Sequence, residues 1–370
     1  MLKRSPDVAF FLGFLGGGGA ERVFINLTRS FAERGLKVDL VLSSAGGPHL
    51  EKISPQVRII DLKTPRLTAC LPSLIGYLKQ EQPRGMLSTL HYANEVALLA
   101  KKLSRTTTKV VVREANNLSR DTQASAPFKR RLLPFLVSSL YPWADNIVAV
   151  SQGVAADLSQ VSGLSLDRIQ TIYSPTITPE LQEKAKEPLD HPWFANGQPP
   201  VILGVGKLHI QKDFALLIRA FAQVRKVREA RLMILGWGPE RPQLEALVKE
   251  LGLENDVALP DHVLNPYAYM SRAAVFVLSS AWEGLPNVLI EAMATGVPVI
   301  STDCQSGPSE ILKGGEYGWL TPVGDSQAMA EAIEKVLSGN FKPIDPDWLK
   351  QFTLEVSSQR YLDILGITPD

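Results

Sequence analysis

The sequence predicts two α/β domains in tandem, each a parallel sheet flanked by helices. Three observations predict it. Short apolar runs alternate with stretches of helical periodicity along nearly the whole chain. The alternation breaks once, over residues 174–200, where six prolines and several charges show little periodicity, and then it restarts. The length of 370 residues allows two to three domains, each with its own core.

Composition narrows the functions. With 45% hydrophobic and 21% charged residues the chain is ordinary for a globular protein, and a net charge of +1 gives no bulk attraction to nucleic acid. Cys70 and Cys304 are far apart and outside any metal-ligand spacing, so neither a disulfide framework nor a zinc site is indicated, which suits a reducing, cytoplasmic compartment. Lys3 and Arg4 before the apolar residues 8–15 imitate a secretory signal, but a good helix comes next rather than a cleavage junction, so 8–15 is taken as a first buried strand. No run approaches the ~20 apolar residues that span a bilayer.

In the first half, residues 8–15 are a strand and 16–19 a glycine turn. Residues 20–34 are a helix with Val23, Leu27 and Phe31 on one face and Gly35 at its end, and 37–42 are the next strand. Strand, glycine turn, helix, strand is a Rossmann-like unit whose glycines let a ligand approach the backbone. Glu21 and Arg22 break the G-x-G-x-x-G spacing, which counts against a nicotinamide dinucleotide. Residues 57–62 are a strand, 71–80 a helix, and the strand 85–90 gives way at His91 to a helix over about 94–103. Strand 109–113 ends in R-E-A-N-N. Residues 127–143 carry Lys129, Arg130 and Arg131 among aromatic and aliphatic residues, a pattern that suits either peripheral contact with an anionic membrane or a buried connecting helix. Strands at 147–151 and 169–173 close the half, and 174–200 is a linker.

The second half opens with strand 201–205 and the turn Gly206-Lys207-Leu208. Asp213 is an N-cap for a helix with Phe214, Leu217, Ile218 and Phe221 on one face. Strand 231–235 leads to Gly236-Trp237-Gly238, and strand 257–259 to the loop ending at Val263. The key stretch is W-E-G-L-P-N-V-L-I-E-A-M-A-T-G-V-P over 282–298. Pro286 suits the first helical position, Leu289, Ala292 and Met293 form a buried stripe, and Gly296 ends the helix before strand 297–300. The N–H groups of Asn287, Val288 and Leu289 at the helix start suit an anion, with Glu283 before it and Glu291 in its second turn. A sugar joined to a nucleotide through a diphosphate fits that arrangement. Residues 326–337 and 354–365 are the last helices.

The stretch Glu283 to Glu291, with seven residues between the glutamates, resembles the E-x7-E motif of family 4 retaining glycosyltransferases. G-K-L-H-I-Q-K-D at 206–213 resembles that family's G-R-L-x-x-Q-K-D, with Lys207 where arginine is commoner, and G-G-G-A-E-R-V resembles its first glycine loop. The resemblance implies the GT-B architecture of two Rossmann-like domains facing across a cleft: 1–174 for the acceptor, 200–345 for the donor, and a terminal helix in 346–370 crossing back. It implies a nucleoside-diphosphate sugar donor, UDP favoured by family frequency, and a glycan or lipid-linked glycan acceptor. Lys212 and Lys207 are then the diphosphate cations, Glu283 holds sugar hydroxyls and Glu291 the ribose. Gly17 and Gly18 face the phosphates, the loops at Gly236 and Val263 enclose the base, and Gly284, Leu285, Pro286, Asn287 and Val288 line the donor. The family's sugar-facing histidine is missing from the R-E-A-N-N loop, where Arg113 and Glu114 stand, which leaves His91 as a catalytic candidate beside Lys212 and Glu283. Nothing resembles a D-x-D metal site in a suitable loop, so no obligatory metal and no other cofactor are expected. A sugar-nucleotide epimerase and a non-catalytic carbohydrate-binding relative remain alternatives on the same frame.

Overall fold

A computed structural model describes residues 5–16, 18–47, 49–120, 127–261 and 263–368, with 127–131 described for the backbone alone. Its contacts divide the chain into one unit of Met1–Pro175 with Gln351–Asp370 and a second of Thr176–Lys350.

Among the described residues, the first unit is built on a seven-stranded parallel sheet. Its strands are β1 (Val8–Leu12), β2 (Val38–Leu42), β3 (Arg58–Asp61), β4 (Gly85–Thr89), β5 (Lys109–Glu114), β6 (Asn146–Ala149) and β7 (Ile169–Thr171). Their order, β3-β2-β1-β4-β5-β6-β7, reverses direction between β1 and β4. The first strand is shorter than the apolar run 8–15, because beyond Leu12 the chain leaves the ladder and the Gly13 carbonyl accepts from both N and Oγ of Ser43 (2.9 and 2.7 Å). Helix α1 (Gly19–Glu33) lays Val23, Phe24, Leu27 and Phe31 on the sheet, with the Phe10 ring edge-on to Phe24 and Phe31 at 5.1 and 5.5 Å. Each such buried ring contributes about 1.5–3 kcal/mol.

The helix Leu354–Leu365 belongs to this first unit. Thr353 caps its start and Gly366, at φ +68°, ends it. Tyr361, Leu362 and Leu365 share a core with Phe10, Leu87, Val111 and Val148. Ser357 Oγ donates to the Tyr173 carbonyl (3.0 Å), and Asn146 Nδ2 donates to the Ile364 carbonyl (3.0 Å).

The second unit has a six-stranded parallel sheet among the described residues: β8 (Val201–Val205), β9 (Arg231–Leu235), β10 (Val257–Ala258), β11 (Val275–Leu278), β12 (Val299–Thr302) and β13 (Trp319–Thr321). The order β10-β9-β8-β11-β12-β13 reverses between β8 and β11. Ligands of doubly wound sheets bind beyond the carboxyl ends of the strands at such a reversal. Here that position is held by Gly206-Lys207 after β8 and by Ser279 to Glu283 after β11.

The linker expected over 174–200 is not one. Thr178 Oγ1 accepts from the Leu181 N–H (3.3 Å) and Pro179 takes the first position of a helix, Pro179–Lys186, which buries Leu181. Asn265 Nδ2 donates to the Lys184 carbonyl (2.9 Å), and His191, Phe194 and Tyr269 form an edge-on aromatic cluster. The prolines mark a capped helix start and turns that pack on the second unit, not a loose tether.

Candidate active site

The site in the second unit begins with backbone. The chain after β8 makes a single 3₁₀ turn, Ile210–Lys212, and passes through Asp213 at φ +43°. As the sequence predicts, Asp213 caps the following helix, Phe214–Val224, its Oδ1 accepting from the Leu216 N–H (3.2 Å). Three bonds stitch this turn to the segment leaving β11. Ala281 N–H donates to the Gln211 carbonyl (2.8 Å), Ser279 Oγ to the Lys212 carbonyl (2.7 Å), and Gln211 Nε2 to the Trp282 carbonyl (3.0 Å).

That stitching brings Lys212 Nζ within 2.6 Å of Glu283 Oε1. Glu283 is buried, and Ser280 Oγ donates to the same oxygen (2.6 Å) while Gln211 Nε2 lies 3.5 Å from the other. Ser280 is itself fixed, its carbonyl accepting from Thr302 Oγ1 (2.6 Å). The carboxylate is thus oriented by three neighbours from two loops. Its charge reaches Cys304: burial first, then Glu283, pushes that thiol up to about 12, with Lys212 opposing, so the thiol stays protonated.

Pro286 precedes the next helix, Asn287–Ala294, instead of occupying its first position. Leu289 N–H bonds to the Pro286 carbonyl (2.9 Å), so Asn287 and Val288, not all three residues, present N–H groups at the helix start. Thr176 Oγ1 donates to Asn287 Oδ1 (3.2 Å). Glu291 is buried, with Tyr267 Oη donating to Oε1 at 3.4 Å. The loop of Gly284, Leu285 and Pro286 lies against Gly307, at φ +92°, where a Cβ would stand 2.5 Å from Pro286 Cδ. Gly236 is fitted as tightly, since a Cβ there would fall 1.9 Å from the Gly206 carbonyl oxygen. Val263 lies half-buried on the loop after β10, and Gly17 is outside the described residues. The basic side chains at 129–131, on which expected membrane contact rests, are outside them too.

Sequence reasoning missed Ser280 and Thr302, and it gave no role to Gln211, which stands in the Q-K-D stretch, or to Gly307. Ser280 left a local signal, a hydroxyl three residues before Glu283.

The remaining candidate, His91, belongs to the first unit, where it is the first residue of the helix His91–Ser104 at the carboxyl end of β4. Leu90 before it sits at φ +72°, a costly conformation for leucine of the kind that collects at functional turns. Gly18, the residue before α1, lies at the carboxyl end of β1. Arg113 and Glu114 are turned inward. Arg113 donates to Tyr361 Oη (3.0 Å), Thr89 Oγ1 (3.0 Å) and Ser174 Oγ (2.9 Å), and Glu114 accepts from Asn94 Nδ2 (2.9 Å) and from Tyr141 Oη. Both are fully buried and serve the unit's packing.

Burial lowers the His91 pKa from 6.5 to about 4, so the imidazole is neutral at pH 7. The unfolded chain takes up this proton first. The stability that neutral His91 supports is therefore full above pH 6.5 and is lost as pH falls towards 4, on the order of 2 kcal/mol. One turn on, burial raises Glu95 to about 7, and its contribution has the opposite sign, present below about pH 4.5 and fading as pH rises through 7. His91→Asn should flatten the acid limb of a stability–pH curve measured by urea unfolding. An unchanged limb would show that the folded protein protonates His91 freely.

Among the described residues no group of three or more His, Cys, Asp or Glu could hold a metal ion, and no helix is long and apolar enough to cross a membrane.

The family described as Glycosyl transferases group 1 matches residues 199–339, and Glycosyltransferase Family 4 matches 17–178. The chain is 31% identical over 344 residues to the N-acetylgalactosamine-N,N'-diacetylbacillosaminyl-diphospho-undecaprenol 4-alpha-N-acetylgalactosaminyltransferase of Campylobacter jejuni, covering 89% of this chain and 90% of that one. It is 27% identical to a lipopolysaccharide core biosynthesis glycosyltransferase of Rhizobium meliloti, over 95% of this chain and 97% of that one. In fold it is similar to Anabaena HepE, solved in complex with UDP and glucose, with a TM-score of 0.80 at 19% identity over 98% of this chain and 99% of that one. Two doubly wound parallel sheets, a paired lysine and glutamate at the reversal of the second, and these relatives together put the chain in family 4 of the glycosyltransferases, enzymes of GT-B fold.

Proposed function

We propose that this glycosyltransferase moves a hexose or N-acetylhexosamine from a UDP-sugar to a hydroxyl of a glycan, or of a glycan on a lipid carrier, with retention at the anomeric carbon. The observation that carries the reading is the 2.6 Å contact between Lys212 and Glu283. It joins a diphosphate cation to a sugar-binding carboxylate at one point of the fold. As the sugar's C1–O bond breaks, charge grows on the leaving diphosphate, where Lys212, Lys207 and the Asn287 and Val288 N–H groups stabilise it. The acceptor oxygen bonds to C1 on the face the diphosphate leaves, and its proton passes to a diphosphate oxygen. Glu283 holds sugar hydroxyls, and Glu291 accepts from the ribose. These fixed cations take the place of a divalent ion. The Anabaena fold relative was solved with UDP and glucose, which supports the donor. The Campylobacter relative's diphospho-undecaprenol substrate supports a lipid-linked acceptor.

The test is a panel of UDP-sugars with glycan and lipid-linked acceptors, product anomers being read by NMR. Transfer with retention, undiminished by EDTA, is expected. Glu291→Gln should raise KM for the donor about tenfold, by about 1.4 kcal/mol, the scale of one hydrogen bond to a charged group. Donor consumed without acceptor to give an epimer would replace transfer by epimerisation.

A further inference from the structure

The two lysines of the turn after β8 are held in different ways. Lys212 meets a carboxylate. Lys207 instead lies over the ring of Trp237, its ammonium 5.5 Å from the centroid, and among the described residues no carboxylate pairs with it. Cation–π contact of this kind holds a lysine without cancelling its charge.

Trp237 is placed for this by backbone. The loop after β9 lies flat on the loop after β8: Cβ atoms at Gly236 and Gly238 would stand 1.9 and 2.1 Å from the carbonyl oxygens of Gly206 and Leu208. Leu208 N–H donates to the Trp237 carbonyl (2.8 Å), and Glu240 N–H to the Leu208 carbonyl (3.1 Å). Only glycines permit that approach, and it fixes the residue between them. Trp237 is 57% exposed, so it is not there to fill the core. An exposed indole on a clamped loop, beside a cation at the carboxyl end of a strand, is a built holder for that cation.

We propose that Trp237 is the positioning residue for Lys207. It keeps the ammonium extended and un-neutralised beside the turn, so that a diphosphate meets a charge already in place. The inference rests on the donor-site reading above and adds a residue to it. Lys212, shared with Glu283, must divide its charge. Lys207, held by a neutral ring, need not, and it supplies the larger share of the initial attraction.

Calorimetric titration of the full chain with UDP and with inorganic pyrophosphate, which has no base to stack, tests this. Trp237→Ala and Trp237→Leu, the latter keeping apolar bulk without a π face, should both weaken UDP and pyrophosphate about threefold to fivefold. Trp237→Phe should keep most of the affinity. In a Lys207→Ala background, Trp237→Leu should add nothing, because the holder has lost its cargo. Weaker UDP with unchanged pyrophosphate would make Trp237 a base-stacking platform and overturn the proposal. So would equal losses with and without Lys207, or no loss at all. Wild-type protein that binds neither probe would overturn the donor-site reading itself, and this inference with it.

Discussion

Lys212→Ala should lower turnover by a factor of about 10²–10³ while the protein still folds. Removing a single preorganised donor from a developing oxyanion costs that much when other donors remain, and here Lys207 and the helix start remain. Stability should fall as well, for a reason separate from catalysis. Glu283 is 6% exposed, so the variant leaves a buried carboxylate without its cation. Breaking a buried pair costs about 3–5 kcal/mol, but the Lys212 side chain is 17% exposed and Ser280 still donates to Glu283, which reduces the loss to about 1–3 kcal/mol. The double variant Lys212→Ala, Glu283→Gln removes the stranded charge and should recover most of that stability. It should stay inactive. Calorimetry and steady-state rates on the three proteins separate the two effects. Near-normal turnover in the single variant would remove Lys212 from the phosphate site.

Arg113→Met should cost about 3–5 kcal/mol of the first unit's stability. Arg113 is 1% exposed, and its guanidinium nitrogens donate to Thr89, Ser174 and Tyr361, which stand on three separate segments. Methionine fills the volume but takes a charged donor away from three buried hydroxyls. Arg113→Lys should recover little, since one ammonium cannot reproduce the planar fork. The chain has two units, so the loss should split thermal unfolding into two transitions. UDP should raise only the upper one, which belongs to the second unit. One transition at the wild-type temperature would show that the fork is dispensable.

The turn and the short helix that carry Lys212, Glu283 and Glu291 were legible because their signals are local. Lys212 and Asp213 sit together at a strand-to-helix turn, and Glu283 precedes one short helix that contains Glu291, so spacing along the chain is spacing in the fold. The supports were not legible. Gln211 reaches Trp282 across 71 residues and Arg113 reaches Tyr361 across 248, and no periodicity records such pairs. Residues 174–200 misled for a different reason. Pro179 behind Thr178 is a helix start, but among five other prolines it looked like one more breaker. Glu114 was named only as standing, with Arg113, where the resembled family carries a histidine, and the structure shows its carboxylate accepting from Asn94 and Tyr141.

The helix Leu354–Leu365 shares its core with the chain's earliest strand. A ribosome makes Phe10 long before Tyr361, and the whole of Thr176–Lys350 is synthesised in between. The first sheet therefore waits, with the bed for that helix open to water, while the second unit can close as soon as it emerges. In the newborn chain, the part translated first is the part finished last.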